Sequence, residues 1–334
     1  MDIGMWIGIA FAHHVRELIL NTESVAQKWS FKLPRSLFNS QTLETLVLTG
    51  WVLVEVPSQA RLKSLKTLHL YSVEYKDDAT VVNLLSGCPK LEDLVVQRGL
   101  GLVDVEIFSI VVPSLQRLTI YDDNDWQGFG GYVIKAPSLK YLEIRWMHGL
   151  QLCLIEDAPE LVEAKIINVS NVVSENNLGS LTSAKRLSLD LSPLEITFPT
   201  GLIFCRLVYL ELLTCRAEWW NLLVPMLNAS PKLQVLKLIG QSWSEAEKDG
   251  VEWSQAKNVP ECLLLHLETF VWKGCEQLLE EEKEVAKYIL RNSNRLKKAI
   301  FSTEGYEGTN FDQEMVKELE SVVRASNSCQ LVFK

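Results

Sequence analysis

Paired cysteines are missing from this chain. The seven cysteines stand at 88, 153, 205, 215, 262, 275 and 329 with no CxxC among them, which excludes a zinc ribbon and a thioredoxin-type dithiol. An odd, scattered set suits a reducing compartment, where thiols behave as small hydrophobes. Long apolar runs are missing as well. Ile3–Ala12 is apolar for ten residues, too short to cross a bilayer. Asp2 is the only charge ahead of it, unlike the basic start of a secretory leader. It reads as a buried helix leading into the first strand. No membrane partner is expected, and the chain reads as soluble and intracellular, cytoplasmic or nuclear.

A basic patch is also lacking. Lys and Arg number 33 against 42 Asp and Glu, a formal net charge of −9. Phosphate backbones repel such a chain unless its cations cluster, so no nucleic-acid partner is expected. Catalytic signatures are lacking too: there is no GxSxG, HExxH or kinase motif. His13 and His14 are neighbours and point apart. His69 falls at an outward strand position and is expected to be exposed; His148 and His266 lie near strand ends. A metal site needs three or more converging ligands. The stretch Asp122–Gly131 starts like a calcium loop at Asp123, Asp125, Gln127 and Gly128, but Ile134 stands where the bidentate Glu belongs. Gly128, Gly130 and Gly131 have no Lys-Ser/Thr after them and so form no phosphate loop. The stretch reads as an insertion that offers Trp126 to a partner. The sequon Asn168-Val169-Ser170 is too short to carry weight. No cofactor, no metal and no enzyme activity are expected, an unrecognised site being the alternative.

What is present is a repeat. L-x-x-L-x-L recurs as LETLVL at Leu43, LKTLHL at Leu65, LEDLVV at Leu91, LQRLTI at Leu115 and LKYLEI at Leu139. It continues as LVEAKI at Leu161, AKRLSL at Ala184, LVYLEL at Leu207 and LQVLKL at Leu233, in steps of 22 to 26 residues. Looser copies begin at Val15, Leu267 and Leu296. This period is that of leucine-rich repeats. The fourth and sixth positions alternate with polar ones, the signature of a strand with one buried face. One strand cannot bury that face alone, but stacked neighbours can. The chain between strands must return as helix or irregular turn. In DDATVVNLLSGCP, Val81, Leu84, Leu85 and Cys88 share a helical face, with Asp77 or Asp78 as N-cap. Gly87 ends that helix and Pro89 bars its continuation. Pro113, Pro137, Pro159 and Pro231 stand at the same place, two residues ahead of the first Leu. Pro225 falls inside a helix expected over 219–227 and predicts a kink or a late start.

After Gly240 a polar, non-periodic stretch, about 241–257, reads as a linker or insertion. Next comes a helix with Leu278, Leu279, Val285, Ile289 and Leu290 on one stripe and Glu280, Lys283, Glu284 and Lys287 outside. A second helix is expected from Phe311 to Arg324, with Met315, Leu319, Val322 and Val323 on one side, and then a final strand in CQLVFK. The predicted architecture is α/β: a curved parallel sheet with helices or irregular turns on its convex side, closed by an α+β cap. The domains fall at 1–257, of which 1–14 is the leading helix, and 258–334.

The GCPKLEDL corners, the leucine spacing and above all the tail VPECLLLHLETFVWKGCEQLLEEEKEVAKYILRNSNRLKKAIFS…ELESVVRASNSCQLVF resemble the plant F-box/leucine-rich-repeat/FBD proteins. The tail is similar to a whole FBD domain from about Asn258 to Phe333. The resemblance implies a substrate receptor of a cullin-based ubiquitin ligase, whose F-box holds a Skp-type adaptor and whose repeats hold the target. No F-box-like run is legible ahead of the repeats. The expectation is therefore an unknown target protein as partner, with adaptor and cullin depending on an F-box; the alternative is a target binder uncoupled from ubiquitination.

Positions three, five and seven of each copy point away from the core by alternation. They give Thr67, His69 and Tyr71; Asp93, Val95 and Gln97; Arg117, Thr119 and Tyr121; Tyr141, Glu143 and Arg145. Next come Glu163, Lys165 and Ile167; Arg186, Ser188 and Asp190; Tyr209, Glu211 and Leu213. Tyr and Arg are enriched at binding hot spots. The candidate partner face is His69, Tyr71, Arg117, Tyr121, Tyr141, Glu143, Arg145, Lys165, Arg186, Tyr209 and Glu211.

Overall fold

Every full copy of the repeat becomes one parallel strand, for the reason the alternation gives: its fourth and sixth side chains have nowhere dry to go but inward. A computed structural model describes residues 3–23, 31–98, 105–122, 131–147, 152–156, 158–169, 175–191, 198–214, 219–240, 258–275, 278, 280–303 and 311–334. The stretch around Trp126, the insertion at 241–257, His148, Ser170 of the sequon and Leu279 lie outside the described residues. The chain divides into two compact units, 1–161 with 168–180, and 162–167 with 181–334.

The first unit adds strands in chain order: β1 (Glu17–Asn21), β2 (Thr45–Thr49), β3 (Thr67–Tyr71), β4 (Asp93–Arg98), β5 (Arg117–Asp122) and β6 (Tyr141–Met147). All pair parallel and in register, so Leu46, Leu68, Leu94, Leu118 and Leu142 are successive Cα partners. Each is buried, and each such leucine contributes about 1.5–3 kcal/mol. The second unit holds most of β7 (Glu163–Val169), then β8 (Arg186–Leu191), β9 (Tyr209–Leu213), β10 (Val235–Ile239), β11 (Thr269–Lys273), β12 (Lys298–Ser302) and β13 (Gln330–Phe333). From β8 to β13 these too are parallel and in register.

The recurring proline makes a recurring corner. The amide of the first Leu closes a turn onto the carbonyl three residues back: Leu91 on Cys88, Leu115 on Val112, Leu139 on Ala136, Leu161 on Ala158 and Leu233 on Ser230, at 3.0–3.2 Å. Proline then occupies the second place of a β-turn, where its fixed φ fits and no N–H is needed. A second regularity appears at the eighth position, at or just past the end of the strand. Gly50, Ser72, Trp146, Asn168 and Gly274 all take a left-handed backbone, with φ between 51° and 85°. Glycine adopts it freely; serine and tryptophan do not. Ser72→Gly is therefore expected to stabilise the chain by about 0.5–1 kcal/mol, the left-handed cost relieved less the added freedom of the unfolded glycine. Urea denaturation followed by circular dichroism checks the sign.

Return segments carry helices, as expected, and also short strands that the sequence reading did not find. Ile107–Val111, Gly131–Lys135 and Leu152–Ile155 form one small parallel sheet, and Phe31–Lys32, Val52–Val54 and Glu74–Tyr75 another. Helix α1 (Ile3–Ala12) is apolar but not buried: Ile7 is covered, while Met5, Trp6 and Ile9 are exposed. Its uniform apolarity hides which side faces the protein. Helix α2 (Asp78–Ser86) is capped by Asp77, whose carboxylate accepts from the Thr80 amide at 2.8 Å. A side chain on Gly87 would meet the Ala60 carbonyl at 2.8 Å, so close approach rather than a left-handed turn demands glycine there. After α3 (Glu175–Ser180), α4 (Trp220–Ala229) runs through Pro225 instead of starting beyond it.

Two further corrections concern the end of the chain. Helix α5 (Glu261–Leu265) precedes β11, and α6 (Glu280–Asn292) and α7 (Gln313–Glu320) pack together. Lys283 and Lys287, expected outside, are only 9% and 8% exposed. Glu318 of α7 takes both ammonium groups, at 3.5 and 2.7 Å. The lysines bury their stems and share one carboxylate that a single-helix reading cannot see. Helix α7 is shorter than expected and leaves Val323 exposed beyond its end. Among the described residues no helix is long and apolar enough to cross a membrane.

Candidate functional site

The outward side chains of the strands do not stand free. In the first unit the Arg117 guanidinium lies 4.4 Å over the Tyr141 ring, its neighbour in register. The Tyr141 hydroxyl donates to Glu143, and the Arg145 guanidinium donates to the other oxygen of the same carboxylate. In the second unit Arg186 lies 3.8 Å over Tyr209, again its neighbour in register. The Tyr209 hydroxyl donates to Glu211 at 2.9 Å, and Lys237 donates to Glu211 at 2.6 Å. One device is thus built twice: a cation on a tyrosine face, the tyrosine hydroxyl on a glutamate one place along the row, and a second cation on that glutamate. The sequence carries it as RLTI then YLEI one repeat later, and RLSL then YLEL.

Electrostatics follow from that geometry. Burial, and then the bond it donates to Glu211, push the Tyr209 phenol up to about 12. For Glu211, burial alone would raise the carboxyl, but Lys237 and Tyr209 outweigh it and hold the group below its ordinary range. The positive edge provided by arginine over an aromatic face is worth about 0.5–1 kcal/mol at an exposed site.

The expected row of exposed groups needs correction at its middle. Thr119, Glu143, Ser188 and Asp190 are buried, as are Val95 and Leu213. His69 is half-buried, edge-on to Tyr71 at 6.0 Å, with Asp93 3.9 Å away. Val95, Thr119, Glu143 and Ser188 are fifth positions, flanked on both sides by outward rows, and Asp190 and Leu213 are seventh positions. What remains reachable in the first unit is Tyr71, Arg117, Tyr121, Tyr141 and Arg145; in the second, Lys165, Arg186 and Tyr209. Lys165 and Arg186 both approach Glu163, at 3.4 and 3.8 Å.

Two participants escaped sequence reasoning. Lys237 reads as one more outward lysine until Glu211 is placed beside it. Trp146, at the eighth position, is 45% exposed and lies 6.0 Å from the Tyr121 ring. Burial pushes the Cys88, Cys153 and Cys262 thiols up to about 12, the wrong direction for a nucleophile. Among the described residues no three His, Cys, Asp or Glu converge for a metal. The arrangement offers preset aromatic faces and fixed charges, the equipment of recognition.

Comparison with known proteins agrees in kind. Residues 255–301 match the FBD family model. Residues 3–161 match a model described as FBD-associated F-box protein At5g56370, LRR repeats. The chain is similar to the F-box/FBD/LRR-repeat protein At3g52680 of Arabidopsis thaliana, at 53% identity over 100% of this chain and 75% of that protein. It is similar also to the F-box/FBD/LRR-repeat protein At4g00160 of the same plant, at 52% identity over 100% and 75%.

Proposed function

We propose a function from one premise: the chain belongs to the F-box/FBD/LRR-repeat family, whose members are protein-interaction modules. In this reading it holds a target polypeptide on the outward face of its strands, within the leucine-rich region 1–257, while 258–334 is an FBD-like domain. The observation that carries the reading is the doubled Arg–Tyr–Glu–cation device. Each member is held by the next, so little side-chain freedom is lost when a partner arrives. Tyr71 and Tyr121 supply aromatic surface beside it. The names of the relatives carry the word F-box, and with it we propose the finer step, that of a substrate receptor for a ubiquitin ligase working through an F-box and its adaptor.

The test must leave the device intact, because removing Tyr141 or Arg145 would strand the buried Glu143 carboxylate. Tyr71→Ala with Tyr121→Ala removes surface without that damage. Crosslinked capture of a partner from plant extract is expected to fall at least ~tenfold, hot-spot tyrosines costing about 1–2 kcal/mol each, while thermal unfolding stays close to that of the unmodified chain. Equal capture by the variant would remove this face from the reading. Co-purification of a Skp-type adaptor with the captured complex tests the ligase step separately.

A further inference from the structure

The outward face changes character over the last four strands. Val271, Ile300 and Val332 are Cα partners in register across β11, β12 and β13, forming a half-buried aliphatic row where a solvent-facing row is ordinarily polar. On β10 the register position of this row is Lys237, and Val235 and Ile239 flank that position on the same face. Lys298 stands before the row and Lys273 after it, on the same face. Neither lysine has an acidic partner among the described residues, and no Asp or Glu occupies any outward position of these four strands. Only Lys237 is engaged, by Glu211 of β9. Strand propensity explains valine and isoleucine; it does not explain why a chain with net charge −9 keeps four strands free of acid and leaves cations beside the aliphatic row.

We infer that the outward face of β10 to β13 is a docking surface for an acidic polypeptide segment that carries aliphatic side chains. The aliphatic row buries the partner's Val, Leu or Ile side chains, and Lys273 and Lys298 meet its carboxylates. Phosphate-rich polymers fit worse, because the row offers them nothing. Complementary charge of this kind sets which partners are admitted and how fast they associate. The surface is independent of the Arg–Tyr–Glu device and stands whether or not that device holds a target.

The test uses the full chain and a short fluorescein-labelled peptide alternating Glu or Asp with Val, Leu or Ile, read by fluorescence anisotropy. Binding is expected at low salt and is expected to weaken as salt is raised. Lys273→Glu with Lys298→Glu should weaken it by about tenfold, and Ile300→Thr should weaken it with thermal unfolding little changed. Tyr71→Ala with Tyr121→Ala should leave it as it was, which separates this surface from the one proposed above. Absence of binding, indifference to the charge reversal, or equal binding of a peptide with serine in place of the aliphatic residues would overturn the inference. So would a dimer of the chain, seen by sedimentation, that the charge reversal dissolves, since a second copy would then be the occupant.

Discussion

Asp122→Ala is expected to destabilise the first unit by about 3–5 kcal/mol, the cost of breaking a buried ion pair from one side. Asp122 closes β5 at 1% exposure, beside its register partner Arg98, which closes β4 at 4%. The guanidinium approaches the carboxylate at 3.6 Å and donates to the Val105 carbonyl at 2.9 Å. The Tyr132 hydroxyl donates to the same carboxylate oxygen at 2.7 Å. Burial first, and then the neighbouring Asp122 charge, drive that phenol well above its ordinary range, so it stays a donor. Alanine would leave a buried cation without its counter-charge and a buried hydroxyl without its acceptor, and water has no easy way in. Asp122→Asn keeps an acceptor and should cost less. Arg98→Met combined with Asp122→Leu should recover most of the loss, because desolvating both charges offsets much of what their attraction returns. Urea denaturation followed by circular dichroism reads all three. A loss below ~1 kcal/mol for Asp122→Ala would mean that the pair is hydrated in solution.

This pair also marks where sequence reasoning stops. The leucine spacing dictates the inward half of every strand, since a period of two and a period near 24 residues are both written in one dimension. Pro89 and its counterparts announce the corner for the same reason: the turn is local. The outward half is different. Arg117 and Tyr141 stand one repeat apart, and only in-register stacking makes them neighbours. A row of tyrosines and arginines therefore read as open hot-spot surface, when Arg117 and Arg186 are already committed to a ring and Arg145 to a carboxylate. Lys283 and Lys287 show the same limit on helices, since Glu318 lies on another element. The exposed side of α1 was illegible because apolar residues on every side give no face to choose.

The second large effect is expected at the other end of the chain. Phe301→Ala should cost about 3–5 kcal/mol, and the loss should stay local. Beyond β10 aromatic residues enter the inward positions: Phe270 and Trp272 on β11, Phe301 beside Ala299 on β12, Phe333 beside Leu331 on β13. Phe301 is fully buried between Phe270, edge-on at 5.7 Å, and Phe333, stacked at 5.4 Å; Phe333 in turn meets Phe311 edge-on at 5.5 Å. Here the segments between strands carry helices α6 and α7. Removing the central ring opens a cavity that its stiff aromatic neighbours cannot collapse into. In a stack of repeats each strand leans mainly on its neighbours, so damage spreads by nearest-neighbour contact and fades. Amide hydrogen exchange should therefore rise in β11, β12 and β13 while β2 to β5 keep their protection. Equal loss of protection in both units would mean that the chain unfolds as one cooperative block, and the independence assumed for each face would go with it.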